Sequence, residues 1–184
     1  IYILELWHGP TCAFKDMALT VLPYLLRKGC DICGIKETIL ILVATSGDTG
    51  KAALEGFKDA EGIKIMVFYP DDGVSKMQKL QMCTQEGGNV NVVAVKGNFD
   101  DCQTAVKEIF SNEEYAKVLK DKNVILSSAN SINFGRLAPQ IAYYFSSYLD
   151  LVSGGQIEMG EEIDFSVPTG NFGNILAAYY SKRM

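Results

Sequence analysis

The stretch Thr38-Ile39-Leu40-Ile41-Leu42-Val43-Ala44 is continuously apolar and rich in β-branched residues. A strand with one solvated face alternates apolar and polar positions. A strand without that alternation is buried on both faces, as in a parallel sheet covered by helices. Parallel neighbours need long crossovers, usually helical, and the surrounding sequence supplies them. Helical patterns over Phe14–Arg27, Asp48–Phe57, Ser75–Met82, Phe99–Phe110, about Phe134–Leu151 and Gly173–Lys182 are interleaved with strand candidates. Those candidates are Ile3–Leu6, Ile63–Phe68, Asn91–Val95, Val124–Leu126 and Ile163–Val167. This alternation specifies an α/β fold with a mostly parallel sheet.

Composition narrows the function classes. The chain has 184 residues, 48% hydrophobic and 21% charged, enough to bury a sizeable core. Its net charge of −5 argues against nucleic acid, which needs a basic face. No apolar run approaches the roughly 18 residues that span a bilayer, so no membrane role is expected, and no secretory signal opens the sequence. Five cysteines are an odd number, which argues against a disulfide framework. Cys30-Asp31-Ile32-Cys33 has C-x-x-C spacing, but no second pair or histidine cluster completes a metal site, and His8 is the one histidine. These read as reduced thiols of a cytoplasmic protein with no metal. The chain begins at Ile1 inside a strand-like run and stops at Met184 inside a helical pattern, as a piece of a longer protein would.

Ligands in parallel α/β sheets bind beyond the carboxyl ends of the strands, where loops enter helices. Several polar segments stand there. Thr45-Ser46-Gly47-Asp48-Thr49-Gly50 follows the most hydrophobic strand. Its hydroxyls and helix-start amides suit a carboxylate or phosphate, and equally a plain N-cap by Ser46 or Asp48. Ser127–Asn133 carries five small polar side chains in seven positions, either a helix start or the lining of a polar pocket. Arg136 lies one turn further on, either solvated or salt-bridged, or reaching an anion. Pro168-Thr169-Gly170-Asn171-Phe172-Gly173-Asn174 opens the last helix. It is either a turn with glycines at positive φ or a cradle of N–H groups for a phosphate. His8, beside Trp7, reads as a packed or hydrogen-bonded histidine. Lys15, in His8-Gly9-Pro10-Thr11-Cys12-Ala13-Phe14-Lys15-Asp16, sits in an uncharged, Gly/Pro-shaped setting that can desolvate an amine into a nucleophile. An amine that captures an aldehyde, together with a phosphate cradle, is the equipment for holding pyridoxal 5'-phosphate.

His8–Asp16, Ala44–Gly50, Ser127–Gln140 and Pro168–Asn174, in this order and spacing, resemble threonine synthase, a family of fold-type-II pyridoxal-phosphate enzymes. The likeness covers nearly all of the chain. It implies a tryptophan synthase beta-like fold of parallel sheets with helices on both faces, in three α/β/α layers. An inserted small domain over 35–120 would be flanked by 1–34 and 121–184 of a large domain. By the same resemblance Lys15 holds the cofactor covalently and is the catalytic acid/base. Gly170, Asn171, Phe172, Gly173 and Asn174 take the cofactor phosphate. Thr45, Ser46 and Thr49 meet the substrate carboxylate, and Ser131, Asn133 and Arg136 lie near the substrate phosphate. Asp48 is a further cofactor contact. Many fold-type-II enzymes have an asparagine there, bonded to the phenolic oxygen; an aspartate places an anion against it unless a proton is shared.

The implied activity is that of a carbon–oxygen lyase of threonine biosynthesis, converting O-phospho-L-homoserine and water into L-threonine and phosphate. A fragment missing the pyridine-nitrogen partner is expected to be inactive by itself. Two alternatives share the residues: a threonine-synthase-like phospho-lyase that releases a 2-oxo acid, and a non-catalytic phosphometabolite-binding module, which needs Gly170–Asn174 but not Lys15.

Overall fold

The computed structural model describes residues 1–130 and 133–184. At its centre four parallel strands, β1 (Thr38–Ala44), β2 (Ile63–Pro70), β3 (Val90–Val95) and β4 (Val124–Ser128), lie in the order β3-β2-β1-β4. In register, Ile41 faces Ile65 of β2 on one side and Ser127 of β4 on the other. β4 lies past residue 120, yet it hydrogen-bonds directly beside β1.

Both faces of β1 are covered, as its composition requires. Ile39, Ile41 and Val43 join Ile63, Ile65 and Val67 in a core closed by Leu19 and Leu22 of α1 (Asp16–Cys33) and by Ala53, Leu54 and Phe57 of α2 (Asp48–Phe57). On the opposite face Leu42, Ala44 and Phe68 pack on Cys102 and Val106, both from α4 (Phe99–Ser111), while α3 (Lys76–Cys83), which precedes β3, adds Met82 to the first core. The result is three layers, α/β/α. Each fully buried Leu, Ile or Phe side chain contributes about 1.5–3 kcal/mol relative to exposure.

α5 (Glu113–Asp121) was not expected from hydrophobic pattern. It starts at Asn112, whose side-chain oxygen accepts from the amides of Glu114 and Tyr115. The single long helix expected from Phe134 is broken into α6 (Phe134–Leu137), a 3-10 turn Ala138–Gln140 and α7 (Ile141–Ser153). Pro139 is the cause: it has no N–H for the carbonyl four residues back, and its ring crowds that carbonyl. α8 (Gly173–Arg183) ends the chain.

The strands expected at Ile3–Leu6 and Ile163–Val167 do not form. A strand conformation is held by its ladder, and among the described residues neither segment has one. Leu6 and Val167 instead pack with Phe14, Tyr143, Tyr144 and Ala177 in a third apolar cluster.

α1 continues past Arg27 to Cys33 and is closed by Gly34 at φ +69°. Within it Pro23 leaves the Leu19 carbonyl without its helical donor. Gly56 of α2 fills that place, since a Cβ there would lie 2.3 Å from the Leu19 oxygen. Backbone cannot rotate away as a side chain can. Gly56→Ala is therefore expected to force α1 and α2 apart and lower stability by about 1–3 kcal/mol. Gly29→Ala, where a Cβ meets nothing within 4 Å, should raise it by up to about 1 kcal/mol through helix propensity. Denaturant midpoints of the two variants check the pair.

Candidate active site

The approach to Lys15 is shaped by one carboxylate. Asp16, buried at the start of α1, accepts from the Thr11 amide at 2.9 Å, the Thr11 hydroxyl at 2.5 Å and the Ala13 amide at 3.4 Å. The loop wraps so tightly that a Cβ on Gly9 would lie 2.4 Å from Asp16 Oδ2. From α7 the Tyr143 hydroxyl donates to the Phe14 carbonyl. Burial, with the Asp16 charge adding, pushes that phenol up to about 12. Lys15 is thus held by bonds on both sides of it in the chain.

The Lys15 side chain is 17% exposed, with Nζ 4.0 Å from Asp48 Oδ2 and 4.2 Å from the centre of the Phe14 ring. Burial pulls the amine below the ordinary lysine value; Asp48 opposes this, while Arg136 and Lys51 add to it. Asp48, on the first turn of α2, accepts from Gln78 Nε2 at 2.8 Å and lies 3.3 Å from Lys51 Nζ. Burial opposes its ionisation, but the Gln78 bond and the Lys15 and Lys51 charges prevail and hold the carboxyl below its usual range.

The turn into α2 is not capped by Ser46 or Asp48. Gly47 occupies the cap position at φ +147° with no side-chain cap. The Thr45 hydroxyl does the work instead, accepting from the amides of Gly47 and Gly50, both at 2.9 Å. A hydroxyl that accepts twice still has its own hydrogen to donate. Asn133 caps α6 through its amide oxygen, which accepts from Gly135, while its Nδ2 donates to the Ser128 carbonyl. Ser131 lies outside the described residues.

Arg136 is 6% exposed. Its Nη1 donates to the Ala129 carbonyl at 3.0 Å and its Nη2 to the Thr49 hydroxyl at 3.4 Å. Among the described residues no carboxylate lies within ion-pair distance of it, and burial pulls the guanidinium down to about 10. Thr45, Ser46, Thr49, Asn130, Arg136 and Asn171 share a cavity of about 520 Å³. A second cavity, of about 540 Å³, is bordered by Phe14, Asp48, Tyr143, Pro168 and Asn174.

Asn174 is anchored rather than free. Its Oδ1 accepts from Tyr144 at 2.6 Å and its Nδ2 donates to Gln140 Oε1 at 3.1 Å, while Gln140 Nε2 donates to the Arg136 carbonyl at 2.8 Å. Gly170 and Gly173 are not at positive φ, so a left-handed turn does not account for them. A Cβ on Gly170 would meet nothing within 4 Å. Asn171 and Phe172 are exposed. A glycine required neither by φ nor by protein neighbours, just before a helix N-terminus, leaves room for a phosphate at the amides.

Residues 1–182 match the family of pyridoxal-phosphate dependent enzymes. The chain belongs to that family. It is 47% identical over 193 aligned positions to human threonine synthase-like 1, covering all of this chain and 25% of that protein. It is 43% identical over 183 positions to the threonine synthase of Pseudomonas aeruginosa, again covering all of this chain and 36% of the relative. Among solved structures it resembles the pyridoxal-phosphate-bound threonine synthase of Brucella melitensis with a TM-score of 0.85 at 42% identity, covering 99% of this chain and 37% of that one. The threonine synthase of Escherichia coli gives 0.77 at 40% identity, over 97% of this chain and 39% of that one. The chain thus spans roughly a quarter to two-fifths of the length of these relatives.

The residues present fit the family's cofactor: a half-desolvated lysine amine and an open glycine-edged helix start. Sequence reasoning missed Lys51, Gln78, Gln140, Tyr143 and Tyr144, and quoted Asp16 without a role. Most of their contacts cross the chain, although Lys51–Asp48 is an i,i+3 pair and Gln140–Arg136 an i,i+4 pair. Because the Lys15 amine gives up its proton below the ordinary lysine range, competitive labelling of full-length apoprotein with an amine reagent should modify Lys15 ahead of the exposed lysines as pH falls. Peptide mapping by mass spectrometry reads the order.

Proposed function

We propose that this chain forms part of a threonine synthase that converts O-phospho-L-homoserine and water into L-threonine and phosphate. The observation that carries the reading is Arg136. A desolvated guanidinium with no carboxylate partner among the described residues, sharing a mixed polar and apolar cavity with Thr45, Ser46, Thr49 and Asn130, is suited to take an anion. The helix start at Gly170–Asn174 already offers a place for the cofactor phosphate, so Arg136 is available for a phosphate on the substrate.

In this reading Lys15 holds the cofactor covalently, and Gly170, Asn171, Phe172, Gly173 and Asn174 receive its phosphate through the amides at the start of α8. Asp48 lies beside the ring. Pyridoxal phosphate, when bound, supplies the electron sink that makes the substrate C–H bonds acidic. The Lys15 amine, kept low in proton affinity by burial, takes the proton from the substrate Cα. It moves a second from Cβ to Cγ as the Cγ–O bond to phosphate breaks, and returns a proton to Cα once water has added its hydroxyl at Cβ. Thr45, through its remaining O–H, binds the substrate carboxylate with Ser46 and Thr49. Arg136, aided by Asn133 and Ser131, grips the substrate phosphate as it leaves.

The division into an inserted unit over 35–120 between flanks 1–34 and 121–184 belongs to the same proposal, with the β1–β4 ladder as the seam. So does a cytoplasmic location, supported by five free thiols. No helix among the described residues is long and apolar enough to cross a membrane. The activity is proposed for the full-length protein, not for this stretch alone.

The test is product analysis of full-length protein with O-phosphohomoserine. Threonine and phosphate support the proposal; a 2-oxo acid would move the protein to the phospho-lyases. Lys15→Ala should abolish turnover and covalent cofactor binding; unchanged phosphometabolite binding with no turnover in the unmodified protein would favour a binding module. Arg136→Lys keeps the charge but loses the bidentate fork. Breaking a desolvated arginine–phosphate contact costs about 2–5 kcal/mol, so the apparent KM should rise about tenfold or more while covalent cofactor binding stays intact.

A further inference from the structure

Lys51 touches Asp48 in the site described above but has been given no role there, and it is 7% exposed. It sits on the first turn of α2, where the helix dipole disfavours a cation. Two bonds hold it there. Its Nζ donates to the Thr11 carbonyl at 2.8 Å and lies 3.3 Å from Asp48 Oδ1. Thr11 is the residue that Asp16 grips through its amide and hydroxyl, and Lys15 immediately precedes Asp16. The other oxygen of Asp48 faces the Lys15 amine at 4.0 Å. Lys51 therefore ties the loop that presents the reacting amine to the helix that carries Asp48, and it contacts the one carboxylate within 4 Å of that amine among the described residues.

We propose that Lys51 is a positioning residue: it latches the Thr11 turn to α2 and engages Asp48 more closely than Lys15 does, so that Lys15 is not captured in an ion pair and remains a free amine. The inference rests on the assignment of Lys15 as the reacting amine. It also accounts for an aspartate beside the cofactor ring. Lys51 and Gln78 engage Oδ1 of Asp48, while Oδ2 faces Lys15 at the longer distance of 4.0 Å.

The charges that face Lys15 are Asp48 and Lys51 from α2, Arg136 from α6 and Asp16 from α1. α7 contributes the neutral Tyr143 hydroxyl, bound to the Phe14 carbonyl. Removing the Lys51 charge deletes one like charge and leaves Asp48 to Lys15 alone. Both changes favour the protonated amine, so the pH at which Lys15 becomes reactive should rise.

The experiment is the pH dependence of Lys15 modification, measured as reductive methylation by formaldehyde and mapped by mass spectrometry, in full-length apoprotein. Lys51→Gln removes the charge and leaves a shorter, neutral donor toward the Thr11 carbonyl. Its midpoint should move up by about one pH unit, so that labelling below the midpoint slows about tenfold. Lys51→Arg should return the midpoint close to that of the unmodified protein. An unmoved or lowered midpoint in Lys51→Gln overturns the proposal, as does a uniform loss of rate at every pH in both variants, which would make Lys51 merely structural. Should Lys51→Gln fail to fold, Asp48→Asn carries the test. It removes the anion the two lysines face, so the midpoint should fall; a midpoint that stays or rises overturns the proposal. Absence of covalent pyridoxal phosphate at Lys15 in the unmodified protein would sink the function proposed above, while the midpoint comparison still decides the role of Lys51.

Discussion

Burial of β1 on both faces is the constraint on which the site depends. The strand has ladder partners on both edges and helices on both faces, so its carboxyl end has little freedom. That end runs straight into Thr45, whose amide donates to the Phe68 carbonyl of β2 at 2.9 Å and so prolongs the ladder by one bond. The loop that follows is therefore fixed by the sheet before any of its own polar groups act. α1 and α2 are packed on the same face of that sheet, and the glycine contact at Leu19 sets how closely they approach. This is how Lys15, at the start of one helix, comes beside Asp48, at the start of the other.

The site concentrates the charge that the rest of the chain lacks. A protein of net charge −5 gathers Lys15, Lys51 and Arg136 around Asp48, with Asp16 committed to the Thr11 turn. Desolvating a cation is unfavourable unless an anion or good acceptors meet it, and among the described residues Arg136 meets a carbonyl and a hydroxyl. The site is short of negative charge. The cofactor phosphate and the carboxylate and phosphate of the proposed substrate are all anions, so in that proposal ligand binding would offset what folding left uncompensated.

Much of this was readable from sequence because the fold writes its sites as interruptions. Thr45–Gly50 and Gly170–Asn174 break apolar periodicity just where strands or strand-like runs hand over to helices. For Arg136 the sequence left solvated and anion-binding roles open, and only burial separates them. Ile3–Leu6 and Ile163–Val167 carry strand composition, but composition cannot provide a ladder partner. α5 is legible in Asn112 followed by Glu113 and Glu114, in Lys120 in the last turn and in Tyr115, Val118 and Leu119 at helical spacing; its nine residues give that period little length to show itself. Lys51, Gln78 and Gln140 could not be found, because their partners lie 30 or more residues away or across a broken helix.

The bonds around Gln140 show how the two proposed phosphate regions are made to agree. The Arg136 carbonyl can only accept, so the Gln140 amide nitrogen must face it. That fixes the Gln140 oxygen toward Asn174, which must then answer with its own nitrogen. The Asn174 oxygen is left facing Tyr144, and the phenol supplies the hydrogen. Each group permits one orientation of the next, from the backbone of the buried arginine to the first turn of α8. The 3-10 turn at Pro139 makes this possible, since it is the break after α6 that places Gln140 between Arg136 and Asn174. A continuous helix from Phe134, as the apolar pattern alone suggests, would have turned that side chain elsewhere. The proline that breaks the helix accompanies the bonds that join the start of α8 to the arginine.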